Sequence, residues 1–548
     1  MDPKSSATSD APAASPWGAF GHLPFAVIWT ASTIALIGIA MYDTASGWLM
    51  TTLNADPLAV SSVQIATSLP MFLFTLPAGA LADIIEPRRF LIIVSAGIAA
   101  LMATFATLVS LDLATPFSLL LTTFVLSGAW ALNAPAWLSI TPMLVPRSEL
   151  DGAIAASSIG YNISRVVGPA LGGLAIVGLG MAAPFWAFAA ANAVAIAALA
   201  WWRSPRRSAE SLPAERLTSA LRTGFRHAAN NEHLRATLVR TVAIYPFASA
   251  YLALLPLIAR QQIGQGPQFY GVLLCAISVG AIAGAFAVKR LKDRLGPDRI
   301  VALGSLGIAI ALVLFGLARE PALALCASVV AGASWIIVLT SLYVSAQYAL
   351  PDWVRGRGLA IFLTVIFGAM TVGSAAWGKI AAMGGLPMAQ FIAAAGAILA
   401  IPLTWSWKLQ TGAALDLTPS MHWQPPNFKR KVENDQGPVM VSVEYRVDSK
   451  NLAEFLGLVD ELGHERKRDG AFAWGIFEDA VDEGRYVETF LIESWLELRH
   501  LRERVTNADR MLEDRVRGLL TEAPHATFLI ATERRGGPRK WHALRSGT

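Results

Sequence analysis

Apolar residues fall into long, nearly uninterrupted runs along most of this 548-residue chain. A bilayer core about 30 Å thick takes roughly 20 helical residues to cross. Twelve runs reach that length, at about residues 24–53, 58–82, 89–111, 115–143, 152–178, 181–202, 237–261, 269–289, 299–318, 321–348, 358–383 and 387–409. The pattern therefore predicts an all-α polytopic membrane protein with twelve transmembrane helices.

The pattern changes after about residue 438. Short segments of β-branched and aromatic residues at 438–447, 471–479, 485–495 and 525–533 are typical of strands, and helices are predicted at 451–470, where the pattern is amphipathic, and at 497–520. The order β-α-β-β-α-β is that of a ferredoxin-like module. We therefore predict a C-terminal α+β domain of the ferredoxin-like kind.

Basic residues collect in alternate loops. They lie at Arg88, Arg89, Arg147, the connector 203–235, the loop 289–299, Arg355, Arg357 and the segment after residue 408. Cytoplasmic loops carry an excess of Lys and Arg, so both termini are expected in the cytoplasm. The domain boundaries that follow are a disordered lead at 1–20, a six-helix bundle at 21–202, a connector at 203–236, a second bundle at 237–409, a linker at 410–438, the ferredoxin-like domain at 439–535 and a tail at 536–548.

An internal repeat supports the division into two bundles. A shift of 205 residues takes Gly79 to Gly284, Pro146 to Pro351, Gly168 to Gly373 and Gly173 to Gly378. An even number of spans in each repeat makes the two halves parallel, related by an axis along the membrane normal. The sequence thus predicts two parallel six-helix repeats.

Composition narrows the functional classes. The chain is 54% hydrophobic and 15% charged with a mean hydropathy of +0.49, and its net charge of +5 is small, so no nucleic-acid partner is expected. Cys275 and Cys326 lie in apolar runs and are interpreted as core thiols. There is no phosphate-binding loop and no zinc-type Cys/His spacing, so we expect neither an ATP-driven pump, nor a metal, nor a cofactor.

Residues 76–90, LPAGALADIIEPRRF, resemble the loop between the second and third helices of major facilitator superfamily transporters. The glycine, acid and arginines of that pattern are matched by Gly79, Asp83, Arg88 and Arg89, whereas Glu86 departs from it. The resemblance implies a charge-assisted latch between conformations. Arg355 and Arg357 are its counterparts in the second half, and contact with lipid headgroups is the alternative for them.

Three further stretches are similar to the enterobactin-exporter-like branch of that superfamily. They are residues 144–173, which include GPALGG, residues 350–362 and residues 493–510. The last stretch resembles an extension related to antibiotic-biosynthesis-monooxygenase modules. The resemblance implies an exporter in a bacterial-type inner membrane that moves a siderophore-like or drug-like molecule, uses the proton gradient and works by alternating access. Its partners would be a small-molecule substrate, protons and the lipid bilayer.

Two charged residues lie near the middle of predicted spans. Asp43 lies about ten residues before Asn54, which corresponds to about 15 Å of helix, and Arg165 lies at a similar depth in the fifth span. An ionisable residue at this depth is costly unless it is paired or faces water. Asp43 is therefore a candidate for proton coupling, with packing as the alternative. Arg165 is a candidate partner, with a structural role equally open.

The resemblance also places an antiporter-type motif at Gly168, Pro169, Gly172 and Gly173, which would seal the carrier against proton leak; ordinary close packing is the alternative. In this family spans one, four, seven and ten line the cavity. Large or polar residues on these spans are Trp130, Asn133, Trp137, Tyr245, Trp335 and Tyr343. They favour an amphipathic, partly aromatic substrate, although packing is the alternative for each one.

Two rival interpretations stay open at this point. A membrane-tethered monooxygenase would use Trp474, Trp495, His464 and His500 of the C-terminal domain, but no acid–base pair stands out there, so we expect no enzyme. Import, or sensing without transport, is the second rival, because direction rests on the family resemblance. The sequence also leaves open whether the C-terminal domain regulates the carrier, mediates homodimerisation or hands over the substrate.

Overall fold

The computed structural model describes residues 18–81, 86–203, 217–411, 416–420, 422 and 436–531. Helices account for most of these residues. Up to residue 403 they are α1 Leu23–Leu53, α2 Pro57–Leu81, α3 Pro87–Ser110, α4 Pro116–Leu144, α5 Leu150–Leu179, α6 Ala183–Trp201, α7 Leu217–Asn230, α8 Glu232–Leu257, α9 Pro267–Leu317, α10 Pro321–Tyr348, α11 Asp352–Gly384 and α12 Leu386–Leu403. We call α1–α6 the N-terminal half and α8–α12 the C-terminal half.

Proline marks where many of these helices begin. Pro57, Pro87, Pro116, Pro267 and Pro321 are the first residues of their helices. The first helical position has no intrahelical partner for its backbone N–H, and the fixed φ of proline suits it. Thr115 adds a capping box before α4, because its side chain accepts from the Ser118 amide and the Ser118 hydroxyl accepts from the Thr115 amide. The boundaries between spans are therefore encoded locally.

Eleven helices of the described segments are long and apolar enough to cross a membrane. One of them, α9, has 51 residues, or about 76 Å of helix, which exceeds the thickness of one bilayer crossing. Its backbone leaves the helical region at Gly296, where φ is 74° and ψ is 168°. The two spans predicted at 269–289 and 299–318 lie on either side of this glycine. The chain is a multi-pass membrane protein.

The chain divides into two compact units. The first contains Met1–Ala214, Leu238–Tyr343 and Phe362–Lys408, and thus most of the long apolar helices. The second contains Glu215–Thr237, Val344–Ile361 and Leu409–Thr548. It therefore joins the C-terminal domain with helix α7 and with the segment between α10 and α11.

In the first unit, residues that the shift of 205 positions relates also make corresponding helix contacts. Gly168 of α5 lies against Ala40 of α1, and its counterpart Gly373 of α11 lies against Pro246 of α8. Gly173 packs against Pro267 and Gln268 at the start of α9. Its counterpart Gly378 packs against Leu58 and Ser61 at the start of α2. Corresponding small residues thus permit corresponding helix contacts.

The C-terminal domain contains a four-stranded sheet. Its strands and helices are β1 Val439–Arg446, α13 Leu452–Asp469, β2 Phe472–Glu478, β3 Arg485–Ile492, α14 Trp495–Arg504, α15 Asn507–Gly518 and β4 His525–Ile530. The strand order is β2-β3-β1-β4, and every neighbouring pair is antiparallel. Alternate residues of the central strands, among them Val441, Tyr445 and Phe490, are buried and form the core with the helices.

The single helix predicted at 497–520 is wrong, because the chain forms two helices there. Val505 is extended, and Thr506 begins α15 with a capping box in which its hydroxyl accepts from the Asp509 amide and the Asp509 side chain accepts from the Thr506 amide. This local cap competes with continuation of α14.

Several predictions fall on residues that lie outside the described ranges. They are the lead up to residue 17, Asp83 of the latch, part of the connector, most of the linker and the tail after residue 531.

Candidate functional site

Asp43 and Arg165 lie on neighbouring helices of the N-terminal half. Asp43 is exposed on α1, although Tyr42 and Thr44 on either side of it are buried. Arg165 is exposed on α5, and its guanidinium carbon lies 5.8 Å from the centre of the Tyr161 ring. The two charges are near enough to interact, yet among the described residues the Asp43 carboxylate accepts no hydrogen bond. Both groups are therefore available to another partner.

Two tyrosines of the C-terminal half lie near this pair of charges. Tyr251 of α8 lies near Arg165, and Tyr270 of α9 lies near Asp43. A Cβ atom at Gly47, one turn after Asp43, would lie 2.7 Å from the Tyr270 hydroxyl oxygen. Glycine at this position therefore permits the close approach of α9 to α1. The charged site thus lies where the two halves meet.

The glycines of the antiporter-type motif bring α5 against two other helices. A Cβ atom at Gly172 would lie 3.1 Å from the Met41 Cα, and one at Gly173 would lie 2.8 Å from the Pro267 carbonyl oxygen. Helix α9 is also anchored on α5 by hydrogen bonds, because the Ser278 hydroxyl donates to the Arg165 carbonyl over 2.8 Å. The motif therefore packs α5 between α1 of its own half and α9 of the other half.

One end of the first unit is closed by contacts that the sequence reasoning missed. Arg260, in the π-helical turn Ile258–Gln262 after α8, donates from Nη1 to Thr51 Oγ1 over 2.9 Å and to Thr52 Oγ1 over 3.0 Å. Its guanidinium carbon lies 5.7 Å from the centre of the Trp48 ring. Trp48 in turn stacks on Tyr270 at 6.3 Å. We call this the closed end; an arginine at the end of a predicted span was its only sequence signal.

The residues predicted to form the latch have mixed surroundings. Gly79 lies in the last turn of α2. Arg88 donates to the carbonyl oxygens of Leu199 over 2.8 Å and Ala200 over 2.9 Å, which satisfies the end of α6. Arg89 pairs with Glu86 at 2.8 Å on the surface.

The second-half counterparts of the latch lie in the second unit. Arg355 pairs with Asp352 at 2.5 Å, and both side chains are largely exposed. The Arg357 side chain lies beside Gly224 of α7. The conformational role of all these residues remains a prediction.

The cavity candidates lie on the expected helices. Trp130, Asn133 and Trp137 are on α4, Tyr245 is on α8, and Trp335 and Tyr343 are on α10. Tyr245 and Trp335 meet edge to face at 5.0 Å, whereas Trp137 packs in an apolar cluster. Within the described residues, the Asn133 side-chain oxygen and the Tyr245 hydroxyl are buried without a hydrogen-bond partner. Such groups are costly unless water or a ligand satisfies them.

The C-terminal domain contains a buried polar network. Glu488 of β3 is fully buried and accepts from the Tyr445 hydroxyl over 2.7 Å and from Trp474 Nε1 over 2.9 Å. Arg466 binds Glu513 at 2.7 Å. Burial raises the pKa of Glu513, but the charge of Arg466 and the hydrogen bonds from His422 and Arg466 outweigh it and lower that pKa to about 2.

The four residues of the enzyme alternative have different environments. Trp495 is buried in an apolar cluster, His464 is exposed, and His500 contacts Glu497 at 3.7 Å. Trp474 belongs to the network around Glu488. Within the described residues, no group of three His, Cys, Asp or Glu side chains could hold a metal ion.

A multi-pass helical bundle with a charged site between its halves and one closed end defines a membrane carrier. The family model of transmembrane secretion effectors matches residues 14–535, and the chain belongs to that family. It is a transporter of the major facilitator type rather than an enzyme, and transporters of this family handle small-molecule substrates in the membrane.

Curated relatives include exporters. The chain is 26% identical over 377 residues to the multidrug efflux pump Tap of Mycolicibacterium fortuitum, an alignment that covers 66% of this chain and 90% of Tap. It is 27% identical over 376 residues to the enterobactin exporter EntS of Escherichia coli, which covers 66% of this chain and 86% of EntS.

Solved structures share the fold. The nucleoside transporter NupG aligns with a TM-score of 0.54 at 13% identity, over 70% of this chain and 98% of NupG. A bacterial homologue of the human lysosomal transporter Spinster aligns with a TM-score of 0.55 at 14% identity, over 70% of this chain and 96% of that protein.

Proposed function

We propose that the chain exports an amphipathic small molecule, siderophore-like or drug-like, across a bacterial inner membrane by proton-coupled alternating access. The observation that carries this proposal is the pair Asp43 and Arg165, exposed side by side next to tyrosines of the opposite half. The efflux pump and the enterobactin exporter among its relatives favour export.

The membrane topology of this proposal has twelve spans. The non-helical backbone at Gly296 supports a division of α9 into two crossings, which would give each half six helices and make the halves parallel repeats. The basic loops then put both termini in the cytoplasm. The strand order β2-β3-β1-β4 supports a ferredoxin-like domain, similar to monooxygenase-type modules, in residues 439–535.

In the proposed cycle, Asp43 binds and releases the coupling proton. When Asp43 is ionised, Arg165 balances its charge and its carboxylate accepts a hydrogen bond from a donor group of the substrate; when Asp43 is protonated, it loses the charge that holds this group. Proton binding and substrate binding would then compete for one carboxylate, which is the requirement for exchange in opposite directions.

The closed end and the latch provide the two alternating seals. The hydrogen bonds of Arg260 to Thr51 and Thr52 support a seal at this end, which would be the periplasmic one. Asp83, Arg88 and Arg89, with Arg355 and Arg357, would act at the cytoplasmic end. Gly168, Pro169, Gly172 and Gly173 keep α5 tightly packed during the exchange and so limit proton leak.

Aromatic rings and unpaired polar atoms would receive the substrate. Trp130, Trp137, Trp335 and Tyr343 offer apolar surface, and the Asn133 oxygen and Tyr245 hydroxyl offer hydrogen bonds. This mixture suits a partly aromatic, amphipathic molecule.

Homodimerisation belongs to the same proposal. An apolar row lies on the sheet face opposite the helices. In this row Met440 of β1 pairs with Leu491 of β3 on one side and with Leu529 of β4 on the other. These apolar side chains are half-buried or exposed and would be covered by a second copy.

The proposal is tested with purified protein in liposomes. Enterobactin and ethidium are the probes, and an imposed pH gradient is the driving force. We expect gradient-driven movement of at least one probe in the direction opposite to protons. Movement in the same direction as protons would indicate import, and no gradient-dependent movement of either probe would contradict the proposal.

A further inference from the structure

The C-terminal domain forms one compact unit with two segments of the carrier itself. That unit includes Glu215–Thr237, which contains α7, and Val344–Ile361, which joins α10 to α11. Helix α7 leads into α8, and the second segment carries Arg355 and Arg357. Contacts inside this unit can therefore act on the ends of transmembrane helices.

His227 is the centre of one contact. Its side chain is 1% exposed on α7. The Asn231 amide donates from Nδ2 to the Ala349 carbonyl over 2.7 Å, and its oxygen accepts from the Leu234 amide over 2.9 Å. These two partners fix the amide orientation, so Nδ2 also donates to His227 Nε2 at 3.3 Å.

The ring of His227 also faces the C-terminal domain. Since Nε2 accepts, Nδ1 carries the ring proton, and it lies 3.8 Å from Asp469 Oδ1, beyond hydrogen-bond distance. The ring meets Trp353 of α11 edge to face at 5.4 Å. One imidazole thus touches the connector, the α10–α11 segment and the domain.

Arg504 forms a second contact around the same tryptophan. Its guanidinium carbon lies 4.4 Å from the centre of the Trp353 ring, and its side chain is 6% exposed. Glu497 holds the guanidinium at 2.6 Å, and Arg504 Nη1 also reaches the Asp469 carbonyl at 3.4 Å. A buried cation held in this way over an indole is a directional contact.

We propose that the C-terminal domain is a regulatory clamp on the carrier. Asp469 and Arg504 of the domain contact His227 and Trp353. These contacts hold the α10–α11 segment in the conformation that accompanies the closed end. A tethered domain shifts a conformational equilibrium only by its difference in affinity for the two states. Since the clamp favours one state, its release raises the population of the other.

The test uses the full chain in liposomes with Cys275 and Cys326 replaced by serine. Met50→Cys, at a fully buried position of the closed end, reports opening by its reaction with an impermeant maleimide. Arg504→Gln removes the cation from the domain, and Trp353→Leu removes its acceptor from the carrier. Arg510→Gln is the matched control, because that arginine is 53% exposed and its side chain pairs with the surface residue Asp514 at 3.7 Å.

We expect Arg504→Gln and Trp353→Leu each to raise the labelling rate on the order of threefold, with no further rise in the double variant. Amide exchange at residues 349–361 should rise in parallel, and Arg510→Gln should change neither measurement. Because Trp353→Leu leaves the domain's own sequence intact, it guards against an effect of domain unfolding. Unchanged or slower labelling in both variants, with faster amide exchange, would overturn the clamp. Since labelling needs no substrate, this outcome is distinct from failure of the export proposal.

Discussion

His227 is a buried base that its surroundings hold neutral. Burial, and after it the charges of Arg468 and Arg504, lower its pKa to about 3, against the opposing charge of Asp509. Asp469 faces the ring as well, and Arg468 binds that carboxylate at 2.9 Å. The stability that neutral His227 contributes is therefore fully present above its usual pKa of 6.5 and is lost as pH falls toward 3.

We expect His227→Gln to flatten the response of this contact to acid. Below pH 6.5, the free energy of local opening of the wild type should fall, relative to the variant, by about 1.4 kcal/mol per pH unit. Amide exchange at residues 349–354, compared between the two proteins at each pH, measures this difference.

Glu465 acts in the opposite direction but is present in both proteins. Burial, and after it the charge of Asp509, raise its pKa to about 8, so the stability that it contributes is lost as pH rises from about 4.5 through 8. Comparing the wild type with His227→Gln at each pH therefore cancels the contribution of Glu465. The exposed His525, changed to Gln, is the control and should leave the pH response of the wild type intact. A constant difference between wild type and His227→Gln from pH 7 to 5 would contradict the assignment.

Arg260 is expected to hold the closed end. Arg260→Gln removes two hydrogen bonds and the cation beside Trp48, which together stabilise closure by about 1–2 kcal/mol. Labelling of Met50→Cys should therefore rise roughly fivefold to thirtyfold. Arg319→Gln is the control, since Arg319 bonds to the carbonyl oxygens of Gly316 and Ala318 at the end of its own helix. Equal labelling in the two variants would argue against Arg260 as a seal.

At the scale of elements, α5 and α1 approach closely because the glycine at their contact has no side chain. A Cβ atom at Gly168 would overlap Ala40 and approach the Ile37 carbonyl oxygen. Gly178, on the same helix, has nothing within 4 Å of such an atom. Substitutions at these two glycines therefore distinguish the effect of close helix packing from the effect of glycine's conformational freedom.

Gly168→Ala and Gly178→Ala should change stability with opposite signs. We expect Gly168→Ala to lower the free energy of unfolding by about 1–3 kcal/mol through overpacking. Gly178→Ala should raise it by up to about 1 kcal/mol, because alanine favours the helix. Thermal unfolding of the full chain in detergent measures both. A stabilised Gly168→Ala protein would show that α5 and α1 are not closely packed.

Most helix boundaries could be predicted because they are encoded locally. The run predicted at 321–348 is α10 residue for residue, and the prediction of 24–53 differs from α1 by one residue. The prediction of one helix at 497–520 failed where Thr506 and Asp509 form a cap. The sequence Thr-Asn-Ala-Asp at residues 506–509 is itself a capping signature. Amphipathic periodicity alone therefore could not locate the break between the two helices.

At the scale of the whole molecule, the charged site could be placed by counting helical rise, whereas its neighbours could not. Asp43 and Arg165 were found from their depth in two spans. Tyr270 and Arg260 reach α1 from the other half, and His227 meets Trp353 across 126 positions of sequence. Such contacts depend on how the helices pack against one another. A single sequence does not reveal which residues of two helices face each other.

Asp43 is proposed to couple transport to protons, and flux measurements in liposomes test this role. Probe flux and internal pH are followed together in liposomes under an imposed pH gradient, for the wild type and for Asp43→Asn. The matched control is Asp56→Asn, an exposed acid in the loop after α1. We predict that Asp43→Asn abolishes gradient-driven flux and the accompanying proton movement, while exchange down the probe's own gradient persists and Asp56→Asn behaves as the wild type. Gradient-driven flux retained by Asp43→Asn would contradict the account.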